Sequence, residues 1–237
     1  ENTMKHYIRT LSLFLFISFP FTQTQLGSDI DGEAEDDQSG RSVSMNSAGD
    51  RVAIGAYGND GTGSDAGHVR VYEFSNSGWT QLGDDIDGEA ADDYSGSSVS
   101  MNSAGDRVAI GAPYNGFTVA AAGHVRVYEY SNNSWTQVGS DIDGEAFSDF
   151  SGISVSMCSV GDRVAIGAYG NDGTGNDAGQ VRVYEYSNSS WTQIGSNIDG
   201  EAEWDYSGES VSMNSSGDRV AIGAFGNDGT GNDAGHV

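Results

Sequence analysis

Side chains able to bind a hard cation recur in three glycine-rich loops of this chain. The segment Asn59-Asp60-Gly61-Thr62-Gly63-Ser64-Asp65 returns twice further along with one substitution. Calcium needs six to eight converging oxygens and a sharply bent backbone, which acidic and amide side chains separated by glycine can supply. The candidate calcium ligands are Asn59, Asp60, Asp65, Asn171, Asp172, Asp177, Asn227, Asp228 and Asp233. The alternative is a set of Asn- and Gly-rich turns that cap their own amides, because no loop has the carboxylates of an EF-hand.

A second acidic segment, Asp29-Ile30-Asp31-Gly32-Glu33, recurs from Asp85, Asp141 and Asn197. Its spacing would also suit calcium. The embedded isoleucine is better explained as a plug between neighbouring sheets, with the acids capping turns. The aspartates that precede the first strand of each unit are expected to cap the Ser and Gly amides that follow them. They are Asp37, Asp93, Asp149 and Asp205.

Aromatic residues just past the second strand of each unit are candidates for a binding rim. They are Tyr57, Tyr114, Tyr169 and Phe225. Loops emerge at this point, so the rings could contact carbohydrate or protein. Packing against the neighbouring unit is the commoner use of such rings.

Catalysis normally needs one asymmetric group of residues, whereas candidate residues here are copied from unit to unit. His68, His124 and His236 share one repeat position, with Gln180 at the matching place. No Ser-His-Asp or metal-hydrolase motif is present. The sequence therefore predicts that the chain is not an enzyme, the alternative being a site in missing blades or an appended domain.

These residues belong to a 56-residue unit that recurs without insertion or deletion. Gly-Asp-Arg-Val-Ala-Ile-Gly-Ala begins at Gly49, Gly105, Gly161 and Gly217. Three units are complete and a fourth stops at Val237, which predicts that the chain is a fragment of a longer array.

Each unit is predicted to contain four strands. In the second unit they fall at 98–101, 107–112, 124–129 and 135–138, where apolar and polar residues alternate or branched residues accumulate between turn residues. Four antiparallel strands in a unit of this length are typical of one β-propeller blade. A parallel β-solenoid is the alternative, but its coils are usually shorter and lack hairpin turns. The predicted fold class is all-β, a partial β-propeller of four-stranded antiparallel blades.

The unit boundaries follow from this pattern. Residues 1–23 are predicted to be a signal peptide with its upstream residues, because Lys5 and Arg9 precede an apolar run too short to span a bilayer comfortably. An orphan outer strand and acidic loop occupy 24–39. Blade 1 is placed at 40–83, blade 2 at 84–139, blade 3 at 140–195, and a truncated blade 4 at 196–237.

The composition limits the partners. The chain has 35 acidic and 10 basic residues, a net charge of −25, and Lys5 is its only lysine. Such a surface repels nucleic acid and anionic lipid and suits either solubility in salt or cation binding. The single cysteine, Cys158, cannot form an intramolecular disulfide, so packing, hydrogen bonds or ions must stabilise the fold.

Three motifs of the second unit resemble the FG-GAP repeats of integrin alpha subunits and of many secreted bacterial proteins. They are Gly96-Ser97-Ser98-Val99, Gly111-Ala112-Pro113 and Gly123-His124-Val125-Arg126-Val127-Tyr128. The resemblance covers 24–237. The family's aromatic lies one place early, as Tyr94, Phe150 and Tyr206, with Gln38 in the first unit. The usual family calcium loop is replaced by 102–106.

The resemblance implies a ring of about seven blades with the first strand of each unit innermost. The predicted function is a secreted or cell-surface, non-catalytic binding or adhesion module. Its partner would be an extracellular protein or carbohydrate, not nucleic acid, and no transmembrane segment is expected in this chain. The alternatives are a calcium-stabilised structural surface array and the scaffold of a secreted hydrolase or lyase whose site lies outside this chain.

Overall fold

The structure, a computed structural model, describes residues 24–116 and 121–237. The predicted signal peptide at 1–23 therefore lies outside the described residues. Within the described residues, seventeen strands form four sheets, one sheet for each repeat unit. The strands are β1 (Ser42–Met45), β2 (Arg51–Ala56), β3 (His68–Ser75), β4 (Gly78–Gln81), β5 (Ile86–Asp87), β6 (Ser98–Met101), β7 (Arg107–Ala112), β8 (His124–Ser131), β9 (Ser134–Gln137), β10 (Ile142–Asp143), β11 (Ser154–Met157), β12 (Arg163–Ala168), β13 (Gln180–Ser187), β14 (Ser190–Gln193), β15 (Ile198–Asp199), β16 (Ser210–Met213) and β17 (Val220–Gly223).

Each complete sheet follows the chain order as an antiparallel meander. In the first sheet β1 pairs with β2, β2 with β3, and β3 with β4. The second strand, Arg-Val-Ala-Ile-Gly-Ala, is mostly buried, as its nearly continuous run of small and branched apolar residues requires. The strands predicted at 98–101 and 107–112 are confirmed as β6 and β7.

The outer edge of each complete sheet is a strand in two pieces. In the first sheet β4 pairs with Tyr72–Ser75 of β3, and β5 pairs with His68 and Val69 on the same strand. The acidic segment thus adds a short fifth strand, and the first sheet extends to Asp87, past residue 83.

Residues 24–27 lie beside the first blade as 80–83 lie beside the second. Leu26 O accepts a bond from Trp79 Nε1 at 3.0 Å, and Leu82 O accepts one from Trp135 Nε1 at 2.7 Å.

The apolar core lies between sheets rather than within one. Ile86 packs in one buried cluster with Val69 and Val71 of the first unit and with Val99 and Val108 of the second. A second cluster repeats this arrangement around Ile142, between the second and third units. The prediction that the isoleucine of the acidic segment is a plug between sheets is confirmed for Ile86 and Ile142.

Hydrogen bonds join the same faces of adjacent units. Ser98 Oγ donates to Gly152 O of the next unit at 2.7 Å, and Arg126 Nη2 donates to Asp87 O of the preceding one at 2.8 Å. Equivalent bonds recur at each junction. The polar and apolar contacts thus repeat in register from one unit to the next.

The four units are arranged around an axis. The residues at one repeat position, Arg41, Ser97, Ile153 and Glu209, all line a single cavity of about 400 Å³. Units stacked along a straight rod could not bring the first and the fourth copy to one cavity. The architecture is therefore an all-β partial propeller, as predicted.

Within residues 24–116 and 121–237, no helix has the length and apolar character needed to cross a bilayer.

Candidate functional site at the axial face

An unbroken series of aromatic rings crosses the end of the sheets where each first strand begins and each second strand ends. We call this end the axial face and the rings the aromatic arc. The arc consists of Tyr57, Tyr94, Tyr114, Phe150, Tyr169, Tyr206 and Phe225. Successive ring centroids lie 5.0 to 6.0 Å apart, within the range of favourable aromatic contacts. The structure thus brings together all four predicted rim residues, Tyr57, Tyr114, Tyr169 and Phe225.

The arc residues come from two places in each unit, the end of the second strand and the turn before the first strand, and Tyr114 lies one residue later in its unit than Tyr57 does. Tyr57 follows β2, whereas Tyr94 precedes β6 in the left-handed conformation, with φ of 54°. Phe150 and Tyr206 adopt the same φ. A bulky residue rarely adopts this conformation, so the surrounding turn must hold it. At Tyr94, the carbonyl accepts bonds from both the amide and the hydroxyl of Ser97, at 3.1 and 2.7 Å.

The arc borders the axial cavity, which Tyr57, Tyr94 and Tyr114 help to line. The cavity also contains opposite charges, Arg41 from the first unit and Glu209 from the fourth. Partial desolvation raises the pKa of Glu209, and the nearby Arg41 guanidinium opposes that rise. Burial, with smaller contributions from Tyr114 and Glu209, raises the pKa of Tyr169 to about 12. Among the tyrosines that line the cavity, burial also raises the pKa of Tyr94, so a ligand would meet this phenol beside one positive and one negative side chain.

The repeat symmetry fails at this cavity. The second strand is identical in the first three units, yet the position that lines the cavity carries a cation, a hydroxyl, an aliphatic group and an anion in turn. The sequence prediction missed Arg41 and Glu209 because it looked for shared motifs. Comparing the four units position by position would have found them, since no two units have the same residue there.

The predicted calcium loops also lie at the axial face, but one side-chain oxygen of the first Asn and one of the first Asp in each loop already accept a hydrogen bond. Asn59 Oδ1 accepts from the amide of Gly61 at 2.9 Å, and Asp60 Oδ1 accepts from the amide of Asp65 at 2.9 Å. The same bonds recur in the third and fourth units, at Asn171, Asp172 and Asp177 and at Asn227, Asp228 and Asp233. Among the described residues, these acids belong to no group of three His, Cys, Asp or Glu ligand atoms close enough to share an ion. Calcium binding there stays a prediction.

The buried aspartates before the first strands cap a different turn from the one predicted. Asp93 Oδ2 accepts from the amide of Ala90, three residues earlier, at 2.9 Å. Asp149 Oδ2 accepts from the amide of Ala146 and from Asn171 Nδ2. The expectation that they cap the following Ser and Gly amides is therefore wrong. Each instead caps the turn just before it, and Asp149 also ties that turn to the loop after β12.

Two further groups of ligand atoms were not found from the sequence. The first His cluster is Glu33, His68 and Asp85, and the second is Glu89, His124 and Asp141. His68 and His124 are only 1% and 2% exposed. Burial and the nearby Arg126 lower the pKa of His124. Asp141 and Glu89 oppose this decrease. Both clusters escaped the sequence reasoning because the glutamate lies 35 residues before its histidine, with the first two strands of the sheet between them.

No protein-family model matches the chain, and no curated protein matches it. Many solved structures do, with 224 matching chains. One is a "putative 6-phosphogluconolactonase" from Bacteroides fragilis NCTC 9343, with a TM-score of 0.47, 11% identity, and coverage of 67% of this chain and 38% of that one. Another, of the same name, is from Bacteroides uniformis ATCC 8492, with a TM-score of 0.51, 9% identity, and coverage of 76% and 46%.

The chain thus spans less than half the length of either solved structure. At 9% identity, the likeness to the Bacteroides uniformis protein shows the fold alone, which is propeller-like. The repeated four-stranded sheets belong to this broad class. The finer assignment to FG-GAP repeats has no support from these comparisons.

The prediction that the chain is not an enzyme is corrected by this comparison. The fold is shared with the Bacteroides uniformis protein, whose name describes an enzyme, so a propeller of this kind gives no ground for excluding catalysis. The physical reason for the error lies in the axial cavity. The argument assumed that every candidate group is copied from unit to unit, whereas Arg41 and Glu209 have no counterparts in the other units.

Proposed function

We propose that this chain is part of a secreted or cell-surface β-propeller whose axial face binds an extracellular protein or carbohydrate. The observation that supports this proposal is the aromatic arc at the mouth of the axial cavity. Tyrosine and other aromatic residues dominate binding energy in interfaces, because they offer a large, stiff surface with few torsions to immobilise. Tyr114 and Phe225 are 46% and 56% exposed, so their rings are accessible to a partner.

The charge and size of the cavity favour a particular mode of binding. Its volume of about 400 Å³ is at the small end of ligand sites, which suits one sugar unit or one side chain of a larger partner. Arg41 and Glu209 can each pair with a polar group of that unit. The net charge of −25 favours neutral or cationic partners over nucleic acid.

Export is supported by the basic and then apolar order of residues 1–23. The resemblance to FG-GAP repeats, which implies adhesion, agrees with this location. A calcium-stabilised array has less support, because the oxygens of Asn59 and Asp60 are already used as turn caps.

A second candidate is the scaffold of an enzyme. The observation that favours it is the asymmetric pair Arg41 and Glu209, since catalysis needs groups that the other units do not repeat. The two candidates share a site and differ in whether the bound ligand is converted.

An array of glycans and extracellular proteins, probed with the 237-residue chain, tests the proposal. Ligands that bind the wild type are then measured against Y114A and F225A. We expect each variant to bind at least about tenfold more weakly, the loss typical of an aromatic anchor. F147A is the matched control, because Phe147 is 69% exposed but lies outside the arc.

Failure of the wild type to bind any ligand, or an equal loss in all three variants, would contradict the proposal. Mass spectrometry of the ligand after incubation separates the two candidates. An unchanged ligand favours a binding module, and a converted one favours the enzyme scaffold.

A further inference from the structure

The two His clusters lie at junctions between repeat units. In the first cluster, His68 begins β3 and Asp85 precedes β5 of the same unit, while Glu33 comes from the segment before it. One ligand atom from each residue lies within 4.8 Å of the other two. The second cluster has the same composition and origin, with Glu89, His124 and Asp141.

The histidine of the first cluster is buried and lacks the partners that a buried imidazole normally has. Its Nε2 makes no hydrogen bond. Its Nδ1 faces Asp85 Oδ2 at 3.7 Å and Glu33 Oε2 at 3.9 Å, both too long for a hydrogen bond. Buried polar groups are almost always hydrogen-bonded, yet neither nitrogen of this imidazole is, and Nδ1 is the nitrogen at which a further partner would also reach the two carboxylates.

The third unit provides an internal comparison. Its residues at the three positions are Glu145, Gln180 and Asn197, so the histidine and the aspartate have both been replaced by neutral amides. Gln180 Nε2 donates to Asp199 Oδ1 at 3.1 Å and to Asn171 Oδ1 at 3.3 Å. Gln180 thus makes two direct hydrogen bonds and leaves only its Oε1 without a partner, whereas neither imidazole nitrogen of His68 makes a hydrogen bond.

The glutamate is not part of this joint change. Arg182 Nη1 lies 3.6 Å from Glu145 Oε1, as Arg70 Nη1 lies 3.3 Å from Glu33 Oε1. The Arg–Glu contact therefore recurs at three successive junctions, whether or not the histidine is present. The His and Asp positions vary as a pair, as two ligands of one shared group would.

We propose that each of the two His clusters binds one divalent transition-metal ion such as Zn²⁺. An imidazole nitrogen with two carboxylate oxygens is a ligand set that suits zinc, whereas calcium takes oxygen ligands alone. Two ligand atoms bound to one zinc ion at a tetrahedral angle lie about 3.4 Å from each other. The observed 3.7 and 3.9 Å need only a small side-chain movement to reach that value.

The surroundings fit such an ion. Arg70 contacts the glutamate oxygen that faces away from the histidine, which fixes the orientation of the carboxylate as outer partners of metal ligands commonly do. His124, Glu89 and Asp141 all line a surface pocket, so water can complete the coordination. An ion held by Glu33 and His68 would link one repeat unit to the next.

Isothermal titration calorimetry of the chelator-treated 237-residue chain with Zn²⁺ tests this inference. We expect two ions per chain. H68Q/D85N gives the first junction the residues of the third and should lower the number to one, and adding H124Q/D141N should abolish binding. The reverse change, Q180H/N197D, should create a third site.

The controls separate these sites from other ligands. H236Q removes the half-exposed histidine that faces Glu201 and should leave two ions bound. D60N/D65N, in a predicted calcium loop, should also have no effect. Circular dichroism establishes that each variant folds, and the third unit already tolerates the introduced residues.

A wild type that binds no Zn²⁺, or two ions still bound by H68Q/D85N, would overturn the inference. Saturable Ca²⁺ binding without Zn²⁺ binding would show that the class of cation is wrong. Because no arc residue is changed, these outcomes are independent of the proposed binding function.

Discussion

A methyl group added at Gly111 should disrupt the junction between the second and third units. Gly111 lies in β7, and a Cβ there would overlap the carbonyl oxygen of Gly152 in the next unit. That oxygen also accepts the bond from Ser98 Oγ at 2.7 Å. The alanine can be accommodated only by moving one sheet away from its neighbour, because the obstacle is backbone.

The structure sets the expected size of the effect. Overpacking a well-packed core typically costs about 1–3 kcal/mol, and the rigid obstacle places G111A at the upper end. Weakening the Ser98 bond adds about 1 kcal/mol. We therefore expect G111A to lower the free energy of unfolding by about 4 kcal/mol, and the midpoint by roughly 8–16 °C at 2–4 °C per kcal/mol.

Gly223 provides the matched control. It occupies the same place in the fourth unit, where the nearest atom to an added Cβ is Ser210 Oγ of its own sheet, which can rotate away. G223A should be neutral or slightly stabilising, because alanine reduces the freedom of the unfolded chain. Thermal and urea unfolding of both variants, followed by circular dichroism, tests the comparison. Equal losses in G111A and G223A would refute the account of lateral packing.

Three smaller predictions concern a turn, a junction and a phenol. C158N should stabilise the chain by about 1 kcal/mol in urea, because Asn102 at the matching position accepts two backbone N–H bonds that a thiol cannot replace; a loss of stability would contradict this. W135F should lower the free energy of unfolding by about 1 kcal/mol by removing the 2.7 Å bond to Leu82 O, and no change would show that the bond contributes little. The pKa of Tyr169 is about 12, above its ordinary 10.0, so the unfolded chain loses this proton first and stability falls as the pH rises from 10 to 12. Y169F should lose less stability over that interval and match the wild-type pH dependence below pH 9, as thermal melts would show.

The strands could be predicted because local signals agree at each of them. Alternation along 98–101 and a turn before Arg107 define the first hairpin, and the structure has the same bounds. The short strand Ile86–Asp87 could not be predicted in this way, since two residues show no periodicity. Its pairing depends on β3, which lies more than ten residues earlier in the chain.

The candidate site was predicted only in part, for a similar reason. Tyr114 lies one place later in its unit than Tyr57 does in the first, yet both rings join the arc because Tyr94 lies between them. Spacing along the chain does not reveal such a contact. Spacing along the chain also does not show that Arg41 and Glu209, three units apart, line one cavity. That contact depends on how the sheets are arranged around the axis.

The uniform junctions have an evolutionary consequence. Trp135 Nε1 donates to Leu82 O, as Trp191 Nε1 donates to Val138 O. Each repeat unit therefore makes the same contact with the unit after it as with the unit before it. Duplicating or deleting a repeat unit would therefore create no new type of junction between units. Recombination between the coding segments of the repeat units could change the number of units and preserve the contacts at every junction.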